Sequence, residues 1–375
     1  MNVLISGASV AGPALAYWLH RHGMQTTIVE RAPEVRPGGL PVDFRGTTMR
    51  VLGEMGVLDE LRAHATNSGA RTVVDTNGNP VGTMPKEIFA GELEVPKADL
   101  TRILYDLTKD NTEYVFGDSI RTLTQDASGV RAEFEHHAPG TFDLVIGADG
   151  LHSQVRALAF GQETHFTDPM GYAFGTFSTP NYLNLRDTGF FHLASDRAVA
   201  VDVVRDDGEV MVFFMFPAQG VQRNRDAQQS AIRTAFEEVG WEVPALLEAM
   251  PKATGFYFDE LSQVTMSSWS TGRVALVGDA AFCVSPMSGR GTSQALLGAY
   301  VLAGELSTQD TFETAFGEYE HALRDYVATN QKAARMAPAA FSAAPLTQDV
   351  LDEMAAASKG VDSADNVTLK DYSNL

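Results

Sequence analysis

Three stretches of this chain set glycine and a carboxylate at what reads as the end of a strand. The first is Gly7-x-Ser9-x-x-Gly12, which follows the apolar run Val3 to Ile5 and opens a helix-like run from Pro13 to Gly23. Glu30 then closes a second apolar run, Gln25 to Val29. Glycines before a helix let the backbone approach a ligand, and the helix's free N–H groups attract an anion. An acidic residue about 20 residues further on suits a ribose hydroxyl. This is the layout of a dinucleotide fingerprint, with Ser9, the smallest polar substitute, at the middle glycine. The second stretch is Gly147-Ala148-Asp149-Gly150 after Phe142 to Ile146, followed by Ser153 and Arg156. The third is Gly278-Asp279 after Arg273 to Val277, then a loop with Pro286, Gly289 and Gly291. An apolar helix-like run, Ser293 to Leu306, follows, with Thr292 or Ser293 available to cap it. None of the three demands a protein nucleophile.

The elements that must position these residues alternate between strand and helix. The start reads as a βαβ unit; the loop from Ala32 to Arg45 carries Pro33, Pro37, Gly38, Gly39 and Pro41, and a loop this long has a function. Helix is expected over Thr47 to Ala63 and from Lys97 to Leu107, with Pro96 opening the latter. Extended chain is expected over 70–95 with a turn at Asn77-Gly78, and strands at 113–116, 119–124, 129–135 and 141–147. From Phe166 to Val264 strand-like runs dominate around one helix, Asp226 to Val239, which predicts an inserted antiparallel sheet. A long helix over Thr311 to Arg335 and a loose polar tail after Ser358 complete the chain. The fold class is α/β: a Rossmann-like parallel-sheet domain (1–70, 95–165 and 266–325), an inserted antiparallel-sheet domain (71–94 and 166–265), and a C-terminal helical segment (326–375).

Composition narrows the partners. The chain has 375 residues, 44% of them hydrophobic, and a formal charge of −20 with no concentration of Lys and Arg, which argues against nucleic acid and anionic membranes. One cysteine, Cys283, permits no internal disulfide, and the nine histidines show no metal-site spacing. With neither a signal peptide nor an apolar run of about 18 residues, the expectation is a cytoplasmic protein, monomer or homodimer.

Taken in order, the three motifs resemble those of the group A flavin-dependent monooxygenases, of the para-hydroxybenzoate hydroxylase fold. The similarity covers nearly the whole chain and extends to compact members such as the tetracycline-inactivating monooxygenases. It implies FAD, with NADPH or NADH as reductant, and oxygen transfer from dioxygen to an organic substrate through a flavin C4a-hydroperoxide. By the same resemblance Gly7, Ser9, Ala11 and Gly12 would cradle the pyrophosphate, and Glu30 and Arg31 would meet the adenosine half. Gly39, Asp43 and Arg102 would lie along the cofactor, with Asp149 and Asp279. Pro286, Gly289, Gly291 and Thr292 would run beside the flavin ring. Where family members often carry histidine after Gly-Asp-Ala-Ala, this chain has Phe282, so no imidazole role is carried over.

The substrate side is less determined. His192 interrupts an apolar strand, and is either a polar substrate contact or a hydrogen-bonded histidine at a sheet edge. Phe213 and Met215 share one strand face and Phe214 and Phe216 the other; one pair lines the pocket and the other packs a core. Met287 would border the flavin. Met336 and Phe341 either close the cavity or pack the core, and Arg45 either meets a cofactor phosphate or substrate, or is a surface arginine. A pocket rich in Phe and Met suits a large apolar, aromatic small molecule. The alternatives are a dehydrogenase or reductase that inserts no oxygen, and a flavoprotein that only binds an aromatic ligand. A halogenase is disfavoured, because Trp241-Glu242-Val243-Pro244 does not fit the Trp-x-Trp-x-Ile-Pro pattern.

Overall fold

The first strand, Asn2–Ser6, is apolar on both faces because it lies in the middle of a sheet. It pairs in parallel with Gln25–Glu30 on one side and Leu144–Gly147 on the other. The computed structural model describes all residues except 37, 67, 195, 206, 207, 343–346, 360–364 and 373–375, and the side chains of 87, 336–342 and 354–359 also fall outside that set. Among the described residues this sheet has six strands, in the order 270–271, 274–276, 144–147, 2–6, 25–30 and 113–116. The chain leaves the first strand to one side and later returns on the other, so a switch point lies beside its carboxyl end. All three glycine–carboxylate motifs arrive at that edge.

Helices Ala11–Arg21 and Gly291–Thr308 pack together over the sheet, with Trp18 and Tyr300 edge to face at 4.9 Å. Every residue from Ser293 to Leu306 is buried, since the helix Phe312–Ser342 covers the remaining side. The stretch expected as one strand over 141–147 is two. Gly140–Phe142 belongs to an antiparallel sheet with 120–125 and 130–134, and Leu144–Gly147 to the parallel one. Asp143 makes the break: its carboxylate accepts the Asn2 N–H at 2.7 Å and its own N–H donates to the Asn2 carbonyl.

The second large sheet runs in the order 254–264, 167–180, 209–217, 197–202, 189–194, 71–74 and 80–84. Its 71–84 hairpin turns at Asn77-Gly78, where the Asp75 carboxylate accepts the N–H groups of Asn77 and Asn79 and Gly78 has φ +83°. One face is covered by helices Arg225–Phe236 and Val243–Ala249, and buries Phe214, Phe216, Ile232, Phe236 and Leu246. The other carries Phe174, Phe191, Phe213, Met215 and Leu261, and meets Met287 and Leu351.

The tail corrects the expectation of loose chain after Ser358. Residues 365–372 return to the parallel-sheet side, where Asp365 pairs with Arg290 through two bonds of 2.6 and 3.2 Å. Tyr372 is buried and donates to the Glu305 carboxylate at 2.5 Å, and Lys370 adds a bond at 2.6 Å. Glu305 is wholly buried in its helix, and a buried carboxylate must find such partners. Among the described residues no helix is long and apolar enough to cross a membrane.

Candidate functional site

The three motifs are stitched to one another through their backbones. Ala148 N–H donates to the Ser6 carbonyl at 2.8 Å, and a Cβ on Gly7 would stand 2.4 Å from the Ala148 oxygen. A Cβ on Gly12 would stand 1.9 Å from the Gly7 oxygen, so both positions require glycine for close approach. Arg156, fully buried, donates to the Ala280 carbonyl at 2.9 Å and to the Leu151 carbonyl at 2.6 Å, tying the second motif to the third. Ser153 caps the helix Gln154–Ala159.

What stays open gathers at the carboxyl ends of these adjacent strands, hereafter the cleft. No side chain caps the helix Ala11–Arg21, so its first N–H groups are free for an anion, and Ser9 is exposed with nothing packed on it. Glu30 ends its strand with Oε2 accepting the Ala8 N–H and Oε1 the Ala32 N–H, both at 2.9 Å. That fixes the carboxylate beside the glycine loop, with Arg31 exposed next to it. Asp279 also has open space beside it. The protein surrounding its other sides raises its carboxyl above the usual range, and nearby Lys97 opposes the rise. Gly291 faces Asp279 and Gly289 faces Asp43, where added Cβ atoms would come within 3.7 and 3.5 Å of the carboxylates. Gly289, at φ +63°, ends the turn Pro286–Ser288 that leads into the helix Gly291–Thr308. Neither Thr292 nor Ser293 caps that helix: Thr292 is half-buried, and the Ser293 hydroxyl donates to the Asp43 carbonyl. A second uncapped helix N-terminus therefore opens on the cleft, and both ends of the buried Gln294 amide lack a protein partner. Uncapped N-termini, glycine cradles and orphaned polar groups are what a large phosphate-bearing cofactor such as FAD needs.

Several expected residues are placed differently. The Asp149 carboxylate is occupied within the protein: it accepts Ser153 Oγ at 2.5 Å, Ser6 Oγ at 3.3 Å, and the N–H groups of Gln154 and Val155. Gly150, at φ +83° with no atom near a would-be Cβ, is the part of that motif left open. Arg102 lies on the exposed side of the helix Lys97–Thr108. Lys97 is a second basic residue on the same helix, one face away from Arg102. Its stem crosses Gly39, whose Cβ would meet Lys97 Cδ at 3.1 Å, and it lies near Asp279. Burial is the main reason its ammonium pKa is lowered. Asp43 is buried and its carboxyl is pushed up to about 7, chiefly by burial, with Arg45 at 3.2 Å working against the rise. Arg45 is therefore the partner of Asp43 and not an ordinary surface arginine.

On the substrate side, Phe213 and Met215 lie on the face that meets Met287, and Phe214 and Phe216 pack against the helices. His192 is removed from the pocket. It pairs with Val199 on the helix-covered face, its Nδ1 lies 2.9 Å from the Val74 carbonyl, and its ring rests against Trp241. The side chains of Met336 and Phe341 lie outside the described residues. Lys97, Tyr257 and Asp259 escaped the sequence reading, although the alternation Tyr257, Asp259, Leu261 marked one strand face.

Comparison with known proteins agrees with this geometry. A family model described as "FAD binding domain" matches residues 1–315. An uncharacterised protein of Mycobacterium tuberculosis is 42% identical over 340 residues, 88% of this chain and 91% of that one. A flavin-dependent monooxygenase of Legionella longbeachae is 36% identical over 340 residues, 88% of this chain and 87% of the relative. The crystal structure of tetracycline destructase Tet(55) superposes with a TM-score of 0.91 at 35% identity, covering 99% of this chain and 98% of that one. The chain belongs to the FAD-binding-domain family and is an FAD-dependent monooxygenase.

Proposed function

We propose that this monooxygenase consumes NAD(P)H and dioxygen to hydroxylate a large, apolar, aromatic small molecule, held between the Phe213–Met215 face and the Pro286–Thr292 loop. When bound, FAD would supply the redox chemistry: two-electron reduction by NAD(P)H, and transfer of one oxygen atom of dioxygen to the substrate with the other leaving as water. Gly7, Ser9, Ala11 and Gly12 would hold its pyrophosphate, Glu30 and Arg31 its adenosine half, and Lys97, Gly39, Asp43 and Asp279 the stretch between. Gly289, Gly291 and Thr292 would offer backbone N–H groups at the ring end, where a helix N-terminus stabilises negative charge. Pro286 and Met287 would divide ring from substrate. The observation that carries the reading is that the aromatic sheet face carrying Phe213 and Met215 meets Met287, in the same loop that opens the second uncapped helix. The chain's likeness to the tetracycline destructase Tet(55) favours polycyclic phenolic antibiotics among aromatic substrates. The buried thiol of Cys283 suits a reducing compartment such as the cytoplasm.

The test is to reconstitute the protein with FAD and follow NAD(P)H oxidation, oxygen uptake and product mass with tetracyclines and other polycyclic phenols. A product heavier by one oxygen atom, formed in step with cofactor oxidation, is expected. Flavin reduction with no oxygenated product from any substrate would make the protein a dehydrogenase or reductase.

A further inference from the structure

One wall of the cleft carries a polar group that the cofactor reading leaves unused. The strand Thr254–Val264 lies at the edge of the seven-stranded sheet, and its register sets Tyr257 opposite Thr176 and Asp259 opposite Phe174. Paired residues share a face, so Tyr257, Asp259 and Leu261 lie on the aromatic face with Phe174 and Phe213. The rings are continuous there: Phe213 stacks on Phe174 at 5.7 Å, and Tyr257 lies 5.7 Å from Phe174 on its other side. Tyr257 is 48% exposed, yet burial and then Asp259 raise its hydroxyl pKa far above normal, with Asp279 and Cys283 contributing further. Its ring lies against Phe174, on the sheet face that meets Met287.

Its hydroxyl is held in one direction. Tyr257 Oη donates to Asp259 Oδ2 at 2.9 Å. Asp259 in turn is fixed from behind, with Oδ1 accepting the Glu260 N–H at 2.9 Å and lying 3.3 Å from His152 Nε2. The other nitrogen of His152 lies 3.0 Å from Glu163, and Arg223 approaches both His152 and Glu163. His152 lies between two carboxylates, and its pKa is raised, first by the bond to Asp259. These contacts keep Asp259 ionised and acceptor-only. With its proton committed to Asp259, the Tyr257 oxygen can offer a ligand only its lone pairs.

We propose that Tyr257 is a specificity-determining substrate contact, its oxygen accepting a hydrogen bond from a hydroxyl on an aromatic ligand lying along Phe174 and Phe213, with Asp259 and His152 as positioning residues. The inference rests on the proposed aromatic substrate and narrows it to ligands that donate at this point, phenols ahead of ethers or ketones of the same shape. A site built around one polar partner rejects the analogue that cannot supply it.

The test uses FAD-loaded protein and two probes, 2-naphthol and 2-methoxynaphthalene, titrated while following the flavin absorbance. The wild type should prefer 2-naphthol by about tenfold, one well-made hydrogen bond. Tyr257→Phe should abolish that preference while leaving the affinity for 2-methoxynaphthalene within about twofold, a result that mere structural damage would not produce. Asp259→Asn frees the tyrosine proton to donate outward, and should shrink the preference at least threefold, in the ratio expected of reoriented hydroxyls and not of lost folding. Equal affinities in the wild type, or a preference kept by Tyr257→Phe, would overturn the role of Tyr257 and leave the monooxygenase reading standing. Failure of both probes to bind would overturn the aromatic pocket and this contact together.

Discussion

At the scale of single residues, the carboxylates around the cleft divide into those already used and those still open. Asp149 spends its oxygens inside the protein, whereas Asp279 keeps open space beside it and Lys97 nearby. Asp279→Ala and Lys97→Ala should each weaken FAD retention by about tenfold, the worth of a single charged contact, measured by equilibrium dialysis of the flavin. Asp43 makes a pH prediction. Its carboxyl titrates at about 7 in the folded protein against 3.8 ordinarily, so on raising the pH the unfolded chain loses that proton first. Between those values the native state binds more protons, and stability falls as pH rises. Asp43→Asn should remove that loss, making the apoprotein more stable than wild type by up to about 4 kcal/mol near pH 8 and about equal to it near pH 4, as read by urea unfolding. That Lys97 lies near Asp279 was not legible in the sequence, because it depends on where Gly39 lets the Lys97 stem lie. Similarly, His192 stood out by interrupting an apolar strand, and only the pairing with Val199 shows that it faces the helices.

At the scale of elements, the helix Gly291–Thr308 joins the cleft at one end to the docked C-terminal segment at the other. Its N-terminus opens beside Asp279, Arg290 before it holds Asp365, and Gly304 near its end makes room for Tyr372. A Cβ on Gly304 would stand 2.2 Å from the Tyr372 ring, so Gly304→Ala should displace the 365–372 segment and cost about 2–3 kcal/mol. Limited proteolysis should then cut that segment at a concentration of protease that leaves the wild type intact. The βαβ start, the hairpin at Asn77-Gly78 and the buried helix were legible because each follows from local periodicity and turn chemistry. The docked tail was not, since the reason for it is a buried glutamate 67 residues away in sequence. The break at Asp143 has the same origin: it exists to pair with Asn2, on the neighbouring strand but 141 residues away in sequence.

At the scale of the molecule, sheet order explains why three weak motifs make one site. The strands ending at Ser6, Gly147 and Leu276 are widely separated in sequence but adjacent in space, and their carboxyl ends meet where the chain changes direction across the sheet. The order and chemistry of those motifs were legible in the sequence and carry the family identity. The substrate face was only half legible: alternation along 209–217 defined two faces, and tertiary packing decides which one meets Met287. Phe213→Ala should accordingly raise KM for an aromatic substrate by about tenfold with FAD binding unchanged, whereas Phe214→Ala, which opens a cavity in the helix-covered core, should cost about 3–4 kcal/mol of stability. The most direct test of the central claim is turnover of the FAD-loaded protein with NAD(P)H and a polycyclic phenol under oxygen-18 gas. One labelled atom in the product, matched to one reducing equivalent pair consumed, is the predicted result. An oxidised product without label, or label appearing only when it is supplied in water, would contradict oxygen transfer by this protein.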